Sequence, residues 1–448
     1  MRLNPEFRRN LTLEINLHRL VALPIVLFLA CSLAYILAHE GGGLNVAGWT
    51  AFWLFAACAI VGGTQLACAS MLDEIREKTW DSQRLSALSP WTLAWGKLFG
   101  STVLAWYGGA VCLLIFVVSR LVDFNGSPPE IPVIVLCLAV PGAAVLMHAV
   151  GMLACLLIPR SGQRNTSNVI ALSLFALFAG WPLGTGLMNH NPVFWWGVSW
   201  NAPWFSVISC WLFAAWAVTG LYRRLFVELQ VRTVPVVWIG WAAFLSIYLA
   251  GFAVGQFGSG MTAGAALASG GFVVTLCMTY VSAWVEKRDA ITVRRLLLRY
   301  RNGEWRRTLE EMPCWLATAP LVLLFSLYLS MRSGGLSLPG MMAEHMTSAM
   351  ALVAALMALR DIALLHYFSF SRNARNVEMT AIIYLLVLYW ILPAICSAVG
   401  LEMVSHLLLP YQSGSLTFAL VVSITQLGIV GWMAHRRWRE HISAVGGA

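Results

Sequence analysis

EIRE at 74–77 and EKRD at 286–289 are two copies of one charged signature, E-x-R-[E/D], set 212 residues apart. The same shift aligns further charged and apolar positions: Leu85 with Leu297, Arg160 with Arg372, and the apolar segments near 20–37 with 232–249 and near 204–222 with 416–434. A repeat of this length is a duplicated domain, which in membrane proteins typically forms two pseudo-symmetric halves. The alternative is chance similarity between apolar helices, and the matching charged residues argue against it.

The composition places the chain in the membrane. Of its 448 residues, 59% are hydrophobic and 11% are charged, with a mean hydropathy of +0.74. About twelve apolar stretches are long enough to cross roughly 30 Å of hydrocarbon as helices. They lie near 20–37, 47–70, 94–118, 131–157, 169–187, 204–222, 233–254, 262–284, 314–331, 341–359, 378–399 and 413–434. We therefore expect an all-α integral membrane protein with about twelve transmembrane helices in two pseudo-symmetric six-helix halves, at 1–225 and 226–448.

The basic residues predict the orientation. With these boundaries, 27 of the 29 Lys and Arg residues fall in alternate loops, and only Arg120 and Arg332 fall in the others. Arg360 is counted in the loop that follows the tenth span. Because positive residues stay on the cytoplasmic side, both termini are predicted to be cytoplasmic in a multi-pass protein of the bacterial inner membrane. The net charge of +9 is then explained by contact with anionic lipid head groups, without nucleic acid.

The first large cytoplasmic loop carries an amphipathic pattern. It reads DEIREKTWDSQRLSALSPWTLAWGK at 73–97, and Trp80, Leu85 and Leu88 can share one helical face. Pro90 ends the pattern, because proline cannot donate a backbone hydrogen bond inside a helix. The segment predicts a short helix across the cytoplasmic mouth of the protein. The alternative is an ordinary interfacial loop helix.

The run E-x-R-E-K-T-W…L-S-P-x-x-x-x-x-G-K-x-x-G, from Glu74 to Gly100, resembles the region after the second span of ABC-2 type transporter permeases. The stretch NPEFRR at 4–9, continuing to Leu20, is similar to that family's amphipathic connecting helix. In the family, six spans make one transmembrane domain, two such domains pair, and the helix after span two docks on a nucleotide-binding subunit. The resemblance thus implies docking residues in the first half: Glu74, Arg76, Glu77, Thr79, Trp80 and Arg84.

The second half departs from this pattern. It keeps Glu286, Arg288 and Asp289, which are its docking candidates, but it lacks the Thr, the Pro and the Gly-Lys. Its loop is also longer and more basic. We interpret the chain as a fused permease that contains both six-span domains, with one copy in each transport unit.

The sequence shows no ATP-binding motif and no segment large enough for an ATPase domain. It has no G-x-x-x-x-G-K-[ST] motif, and its longest stretch outside the predicted spans, about 285–313, is shorter than the ~50 residues of a small domain. We therefore expect no catalytic site and no cofactor in this chain. ATP and Mg²⁺ would belong to a nucleotide-binding ATPase subunit supplied in trans, and membrane lipids are the other expected partners.

Two other function classes stay open: a secondary transporter or channel-like protein without an ATPase, and a membrane scaffold that anchors a cytoplasmic complex through its basic loops. All Asp and Glu residues are predicted in loops or at span ends, which weighs against ion-coupled transport because that usually needs an intramembrane carboxylate. His148 and Gln65 are the main polar residues within spans, and His148 is interpreted as hydrogen-bonded to a neighbouring helix.

No metal site is expected, since the His and Glu residues near the outer face lack H-E-x-x-H spacing. Asp361, His366 and Tyr367 form no evident catalytic group. The Trp-rich outer loop at 188–204 is either an interfacial aromatic belt or an exit gate. The apolar and aromatic interior suits an amphipathic or lipid-like cargo, and export follows from the resemblance alone.

Overall fold

The computed structural model describes residues 4–38, 43–77, 89–122, 132–157, 191–229, 231, 233–256, 262–286, 288–331, 350–371 and 377–446. Within these residues the protein is almost wholly helical. Ten helices are long and apolar enough to cross a membrane, and an eleventh span is added if the bent pair Trp305–Glu311 and Cys314–Ser330 is counted as one. The predicted class, an all-α membrane protein, agrees with this architecture.

The chain divides into two compact units. The first comprises Met1–Val193 and Ser199–Arg232. Its helices are α1 Pro5–Glu14, α2 Leu17–Leu37, α3 Gly43–Ala56, α4 Gly63–Arg76, α5 Pro90–Gly100, α6 Val103–Val122, α7 Val133–Leu157 and α8 Ala202–Glu228. Fully buried side chains such as Phe55, Phe116 and Leu221 fill the spaces between these helices, where close packing and van der Waals contact hold apolar helices together.

The second unit comprises Phe194–Val198 and Thr233–Ala448. Its helices are α9 Val236–Gln256, α10 Ala263–Val285, α11 Ala290–Arg301, α12 Trp305–Glu311, α13 Cys314–Ser330, α14 Met350–Ser369, α15 Val377–Leu386, α16 Leu392–Ala398, α17 Glu402–Leu408 and α18 Leu416–Gly446. A π-helical turn, Val387–Ile391, joins α15 to α16, so the two form one apolar span. The helices α10, α13 and α14 pack around Phe272, Val322 and Ala355.

Eleven of the twelve predicted spans coincide with helices, and the fifth, 169–187, lies outside the described residues. Two boundaries were wrong. The third predicted span begins as a separate helix, α5, and only Val103–Val122 is a long apolar helix in its own right. The tenth runs to Ser369 instead of ending at 359, so Arg360 lies inside a helix and not in a loop. The pseudo-symmetry of the two halves and the orientation of the termini stay predictions.

A π-helical turn at Ala57–Gly62 joins α3 to α4 and accommodates His148 of α7. The His148 Nε2 atom is hydrogen-bonded to the carbonyl oxygen of Ala59 at 2.8 Å. Gly63 leaves room for the imidazole, because a Cβ atom there would lie 2.2 Å from Nε2. The interpretation of His148 as a structural residue bonded to a neighbouring helix is therefore confirmed.

The outer loop between the fifth and sixth predicted spans contains a two-stranded hairpin, β1 Val193–Trp195 and β2 Val198–Trp200. Trp196 and Gly197 form its turn with φ of 53° and 72°, a conformation that suits glycine and strains tryptophan. The tip packs on α9: Trp195 Nε1 donates to the carbonyl of Tyr248 at 3.0 Å, and Trp196 N donates to that of Gly251 at 2.9 Å. These hydrogen bonds fix Trp195 and Trp196 against α9, and both interpretations of the loop, an interfacial belt and an exit gate, stay predictions.

Candidate functional site

The N-terminal helix α1 is held against α5 at the end of the first unit that is predicted to face the cytoplasm. Asn4 caps α1, because its Oδ1 atom accepts the backbone N–H groups of Glu6 and Phe7 at 3.0 and 3.4 Å. The Asn4 Nδ2 atom donates to the carbonyl of Thr92 at 2.8 Å, which fastens the start of α1 to α5.

Two glycines let these helices approach closely. A Cβ atom on Gly96 would lie 2.6 Å from the Cβ of Glu6, and one on Gly100 would lie 3.0 Å from the Cβ of Asn10. Their spacing, G-x-x-x-G, places both on one face of α5, as in the close helix pairs of membrane proteins. The Gly-Lys pair noted in the sequence therefore has a packing role.

A buried ion cluster lies beside this contact. Lys97, which is 1% exposed, is paired with two carboxylates, Glu6 of α1 at 3.3 Å and Glu74 of α4. Arg9 adds a second cation, with Nη2 donating to Glu74 at 2.8 Å and Nη1 donating to Glu6 at 3.3 Å. We call these four residues the Lys97 cluster. Among the described contacts, two positive charges pair with two negative charges, and these ion pairs join α1, α4 and α5.

Three of the six predicted docking residues of the first half, Glu74, Arg76 and Glu77, lie among the described residues. Glu74 belongs to the Lys97 cluster and is 5% exposed, so its carboxylate is turned into the first unit. Glu77, at the end of α4, is exposed. Arg76 ends α4. The remaining candidates, Thr79, Trp80 and Arg84, lie outside the described residues.

Replacing Gly96 by alanine is expected to lower the free energy of unfolding by about 1–3 kcal/mol, because the added methyl group pushes α1 away from α5. Gly220→Ala is the matched control. It is also a helical glycine, but its Cβ would make only an ordinary 3.5 Å contact with Leu153, so we expect no loss. Thermal unfolding in detergent measures both. Equal stability of the two variants would contradict the close contact.

In the second unit the signature residues cap helices. Both Glu286 carboxylate oxygens accept the backbone N–H of Cys314, the first residue of α13, at 2.8 and 3.0 Å. A carboxylate at this position satisfies an otherwise unpaired donor and interacts favourably with the helix dipole. Burial raises the pKa of Glu286 above its ordinary value, and the hydrogen bonds from Cys314 offset part of that rise.

Arg288 forms hydrogen bonds or ion pairs with the ends of α10 and α14 and with the start of α15. Its Nη1 atom donates to the carbonyls of Ala283 and Trp284 in the last turn of α10, at 2.6 and 2.9 Å. Its Nε atom donates to Ser369 Oγ at 3.1 Å, and Nη2 is paired with Glu378 at the start of α15. Asp289 caps α11 through the N–H of Ile291 at 3.2 Å and is exposed. Of the three docking candidates in this half, only Asp289 therefore presents an exposed side chain.

A second buried polar cluster lies within the spans of the second unit. Asp361 Oδ1 accepts from Arg360 Nε and Nη2 at 2.9 and 2.5 Å, and Oδ2 accepts from the hydroxyl groups of Tyr280 and Tyr389, the latter at 2.8 Å. Arg360 Nη1 donates to Gln426 Oε1 at 2.6 Å. These five residues, which we call the Asp361 cluster, join α10, α14, α18 and the π-helical turn after α15.

The expectation that all carboxylates lie in loops or at span ends was wrong for Asp361. This residue is 3% exposed and lies eight residues before the end of α14, about 12 Å from that end at ~1.5 Å per residue. The charge of Arg360, at 4% exposure, balances it, so the pair can be buried where either alone could not. The sequence did indicate that the helix continues past Arg360 and Asp361, because apolar residues follow them as IALL at 362–365.

Among the described residues, no group of three or more His, Cys, Asp or Glu side chains could hold a metal ion. Asp361 and His366 lie on the same helix but share no hydrogen-bond partner among the described contacts. Asp361 pairs with Arg360 and the two tyrosines, whereas His366 Nδ1 is hydrogen-bonded to the carbonyl of Ile362 at 2.8 Å. The donors and acceptors of both clusters are used in pairing. Their arrangement supports the coupling of helices more readily than bond-making chemistry.

Comparison with models of known protein families finds no match to this chain, and comparisons with curated proteins and with solved structures find none either.

Proposed function

We propose that this chain is the membrane permease of an ATP-driven transporter, with the nucleotide-binding ATPase on a separate subunit and an amphipathic or lipid-like cargo that is exported. The observation that carries the proposal is the Lys97 cluster. It joins α1, α4 and α5 at the base of the connection that contains Glu77, Trp80 and Arg84. A partner that pulled or pushed on this connection would move the end of one membrane span, α4, together with α5 and the N-terminal helix α1.

Helix order gives further support. Shifted by 212 residues, α7 falls on 345–369, where α14 Met350–Ser369 lies, and α8 falls on 414–440, at the position of α18. The short helix α17 between the last two spans is similar to the re-entrant helices that ABC-2 permeases place between their fifth and sixth spans. Gln426 Nε2, ten residues into α18, donates to the carbonyl of Leu407, so α17 extends inward beside that span.

The proposal is tested by one charge reversal and one aromatic truncation at the predicted docking connection. Glu77→Lys and Trp80→Ala are expected to abolish retention of an ATP-hydrolysing subunit while leaving membrane insertion intact, because both alter the predicted docking connection. The measurement is ATP hydrolysis and subunit composition of the tagged full chain purified from its native membrane.

Glu440→Lys is the matched control for Glu77→Lys, since it reverses an exposed carboxylate near the end of α18 that pairs with Arg436. We expect it to retain the ATPase. Purification of the wild-type chain without any nucleotide-hydrolysing subunit, or full retention by both docking variants, would refute the proposal.

A second candidate is an ion-coupled secondary transporter, which the position of Asp361 favours. A buried carboxylate within the spans is the group that such carriers use to take up a proton or cation. Here the Arg360 guanidinium already neutralises it at 2.5 Å, so the site as built holds no unbalanced negative charge. For this reason we rank ATP-driven transport first, and the ATPase-retention experiment separates the two.

A further inference from the structure

The short helix α17 ends beside α18, at a depth where α18 forms a membrane span. The side chain of Gln426, about 15 Å from the start of α18 at ~1.5 Å per residue, donates to the carbonyl oxygen of Leu407 in the last turn of α17. The last four carbonyl groups of a helix have no partner within that helix. Because hydrocarbon supplies no water to satisfy them, another part of the protein must do so. Gln426 therefore caps the C-terminus of α17.

The Asp361 cluster fixes the orientation of this cap. A glutamine amide has an acceptor oxygen on one side and a donor nitrogen on the other, and only the nitrogen can cap a carbonyl. Arg360 Nη1 donates to Gln426 Oε1 at 2.6 Å, which leaves the amide nitrogen to face Leu407. Asp361 in turn accepts from Arg360 Nε and Nη2 at 2.9 and 2.5 Å. The capping of α17 thus depends on the buried charge pair of α14.

Apolar packing contributes little to the position of α17. All seven of its residues are described, and among them Ser405 is the buried one. Its apolar residues Met403, Val404 and Leu407 are 74%, 40% and 43% exposed, and the next buried side chain, Leu409, follows the helix. A segment with few buried contacts separates from its surroundings at low cost in free energy. The hydrogen bond from Gln426 therefore makes a large contribution to holding α17 beside α18.

We propose that the Asp361 cluster is a conformational latch, which holds α17 beside α18 while Arg360 orients the Gln426 amide and releases α17 when Arg360 turns away. Tyr280 of α10 and Tyr389 of the π-helical turn both donate to Asp361, so a shift of either element changes the position of Arg360 and, through Gln426, that of α17. The proposal does not depend on ATP-driven transport, since every residue in it belongs to the described part of the second unit.

Thiol reactivity measures the position of α17. Ser405→Cys places a thiol at the buried position of the helix, and Glu402→Cys places one at an exposed position near its start. The full-length chain in nanodiscs, which leave both membrane faces accessible, is treated with a charged, membrane-impermeant methanethiosulfonate. Peptide mass spectrometry gives the rate at each introduced thiol, so the ten native cysteines stay in place. With the latch intact, the Ser405→Cys thiol should react slowly and the Glu402→Cys thiol rapidly.

Gln426→Met keeps the length of the side chain but removes the cap. It should raise the rate at the Ser405→Cys thiol roughly three- to tenfold, the effect of losing one buried hydrogen bond, and leave the Glu402→Cys rate unchanged. Thr425→Val is the matched control on the same helix. The Thr425 hydroxyl donates to the carbonyl of Val421 within α18 at 2.7 Å, so its removal should change neither rate.

Arg360→Met/Asp361→Leu tests the part of the latch that lies in the Asp361 cluster. It leaves Gln426 in place and no buried charge unpaired, but nothing then orients the amide from the α14 side. We expect the Ser405→Cys rate to rise by about twofold or more, because a free amide has two orientations and only one of them caps α17. A variant that is merely folded, without a latch, would show no such rise.

An unchanged rate in Gln426→Met, or an equal rise in Thr425→Val, would overturn the latch. A rise in Gln426→Met without one in Arg360→Met/Asp361→Leu would overturn the role of the Asp361 cluster and leave only a local cap. Gln426→Met keeps the buried charge pair, so it should fold even if the double variant does not, and its rate then decides alone. Loss of ATPase retention, by contrast, would leave all of these outcomes unaffected.

Discussion

Lys97→Met is expected to lower the free energy of unfolding by about 3–5 kcal/mol, the cost of breaking a buried ion pair by removing one partner. Methionine preserves the length and apolar stem of the side chain but removes the charge between Glu6 and Glu74. The two buried carboxylates then lose the buried cation between them and keep their pairs with Arg9, whose side chain is 44% exposed. The measurement is thermal unfolding of the purified chain in detergent, with protease accessibility of α1 as a local reporter.

Arg306→Met is the control for that experiment, because Arg306 is 90% exposed and pairs with Glu310 on the surface. We expect it to cost less than about 1 kcal/mol. The triple variant Glu6→Gln/Glu74→Gln/Lys97→Met, which neutralises all three buried charges, should recover part of the stability lost by Lys97→Met alone. If Lys97→Met is as stable as the wild type, the cluster does not hold α1 in place.

Asp361→Ala should be comparably destabilising, by about 3–5 kcal/mol, because it leaves the Arg360 guanidinium buried without its counter-charge. The hydroxyl groups of Tyr280 and Tyr389 also lose their common acceptor. Asp361→Asn should be milder, since an amide oxygen can still accept from both tyrosines. Thermal unfolding of the full chain in detergent measures these differences.

Arg360→Met/Asp361→Leu removes both charges together and should be more stable than Asp361→Ala, as observed where buried ion pairs are replaced by apolar residues. Asp289→Ala is the control on the same unit. It removes an exposed helix cap and is expected to cost only about 1 kcal/mol. An Asp361→Ala variant no less stable than Asp289→Ala would show that the Asp361 cluster contributes little to the packing of the spans.

Apolar run length predicted the helices well, because a membrane helix must bury about 20 apolar residues whatever its neighbours are. Ending a predicted span at the first charged residues was wrong at Arg360 and Asp361. There, opposite charges on adjacent residues neutralise each other and the helix continues. It also merged α5 with α6, since Ser101 and Thr102 are too weakly polar to mark a break. Their hydroxyl groups donate to the carbonyls of Lys97 and Leu98 at 2.7 Å, which satisfies them locally.

The partners of charged residues were less predictable than the helices. EIRE and EKRD look equivalent in sequence, yet Glu74 pairs with Lys97 and Arg9, whereas Glu286 caps α13. The difference depends on which segment lies opposite each carboxylate, and that follows from tertiary packing over 23 residues or more of chain. A local motif therefore indicated where the chain turns at the membrane surface, but not what each side chain binds.

The bend between α12 and α13 has a consequence for the surrounding bilayer. The two helices meet at 96°, so α12 turns away from the axis of α13, and the 17 residues of α13 are the described helix along that axis. At ~1.5 Å per residue these extend about 26 Å, a few ångströms short of the ~30 Å hydrocarbon core. The hydrophobic mismatch implies local thinning of the membrane beside α13, and a preference there for lipids with shorter tails.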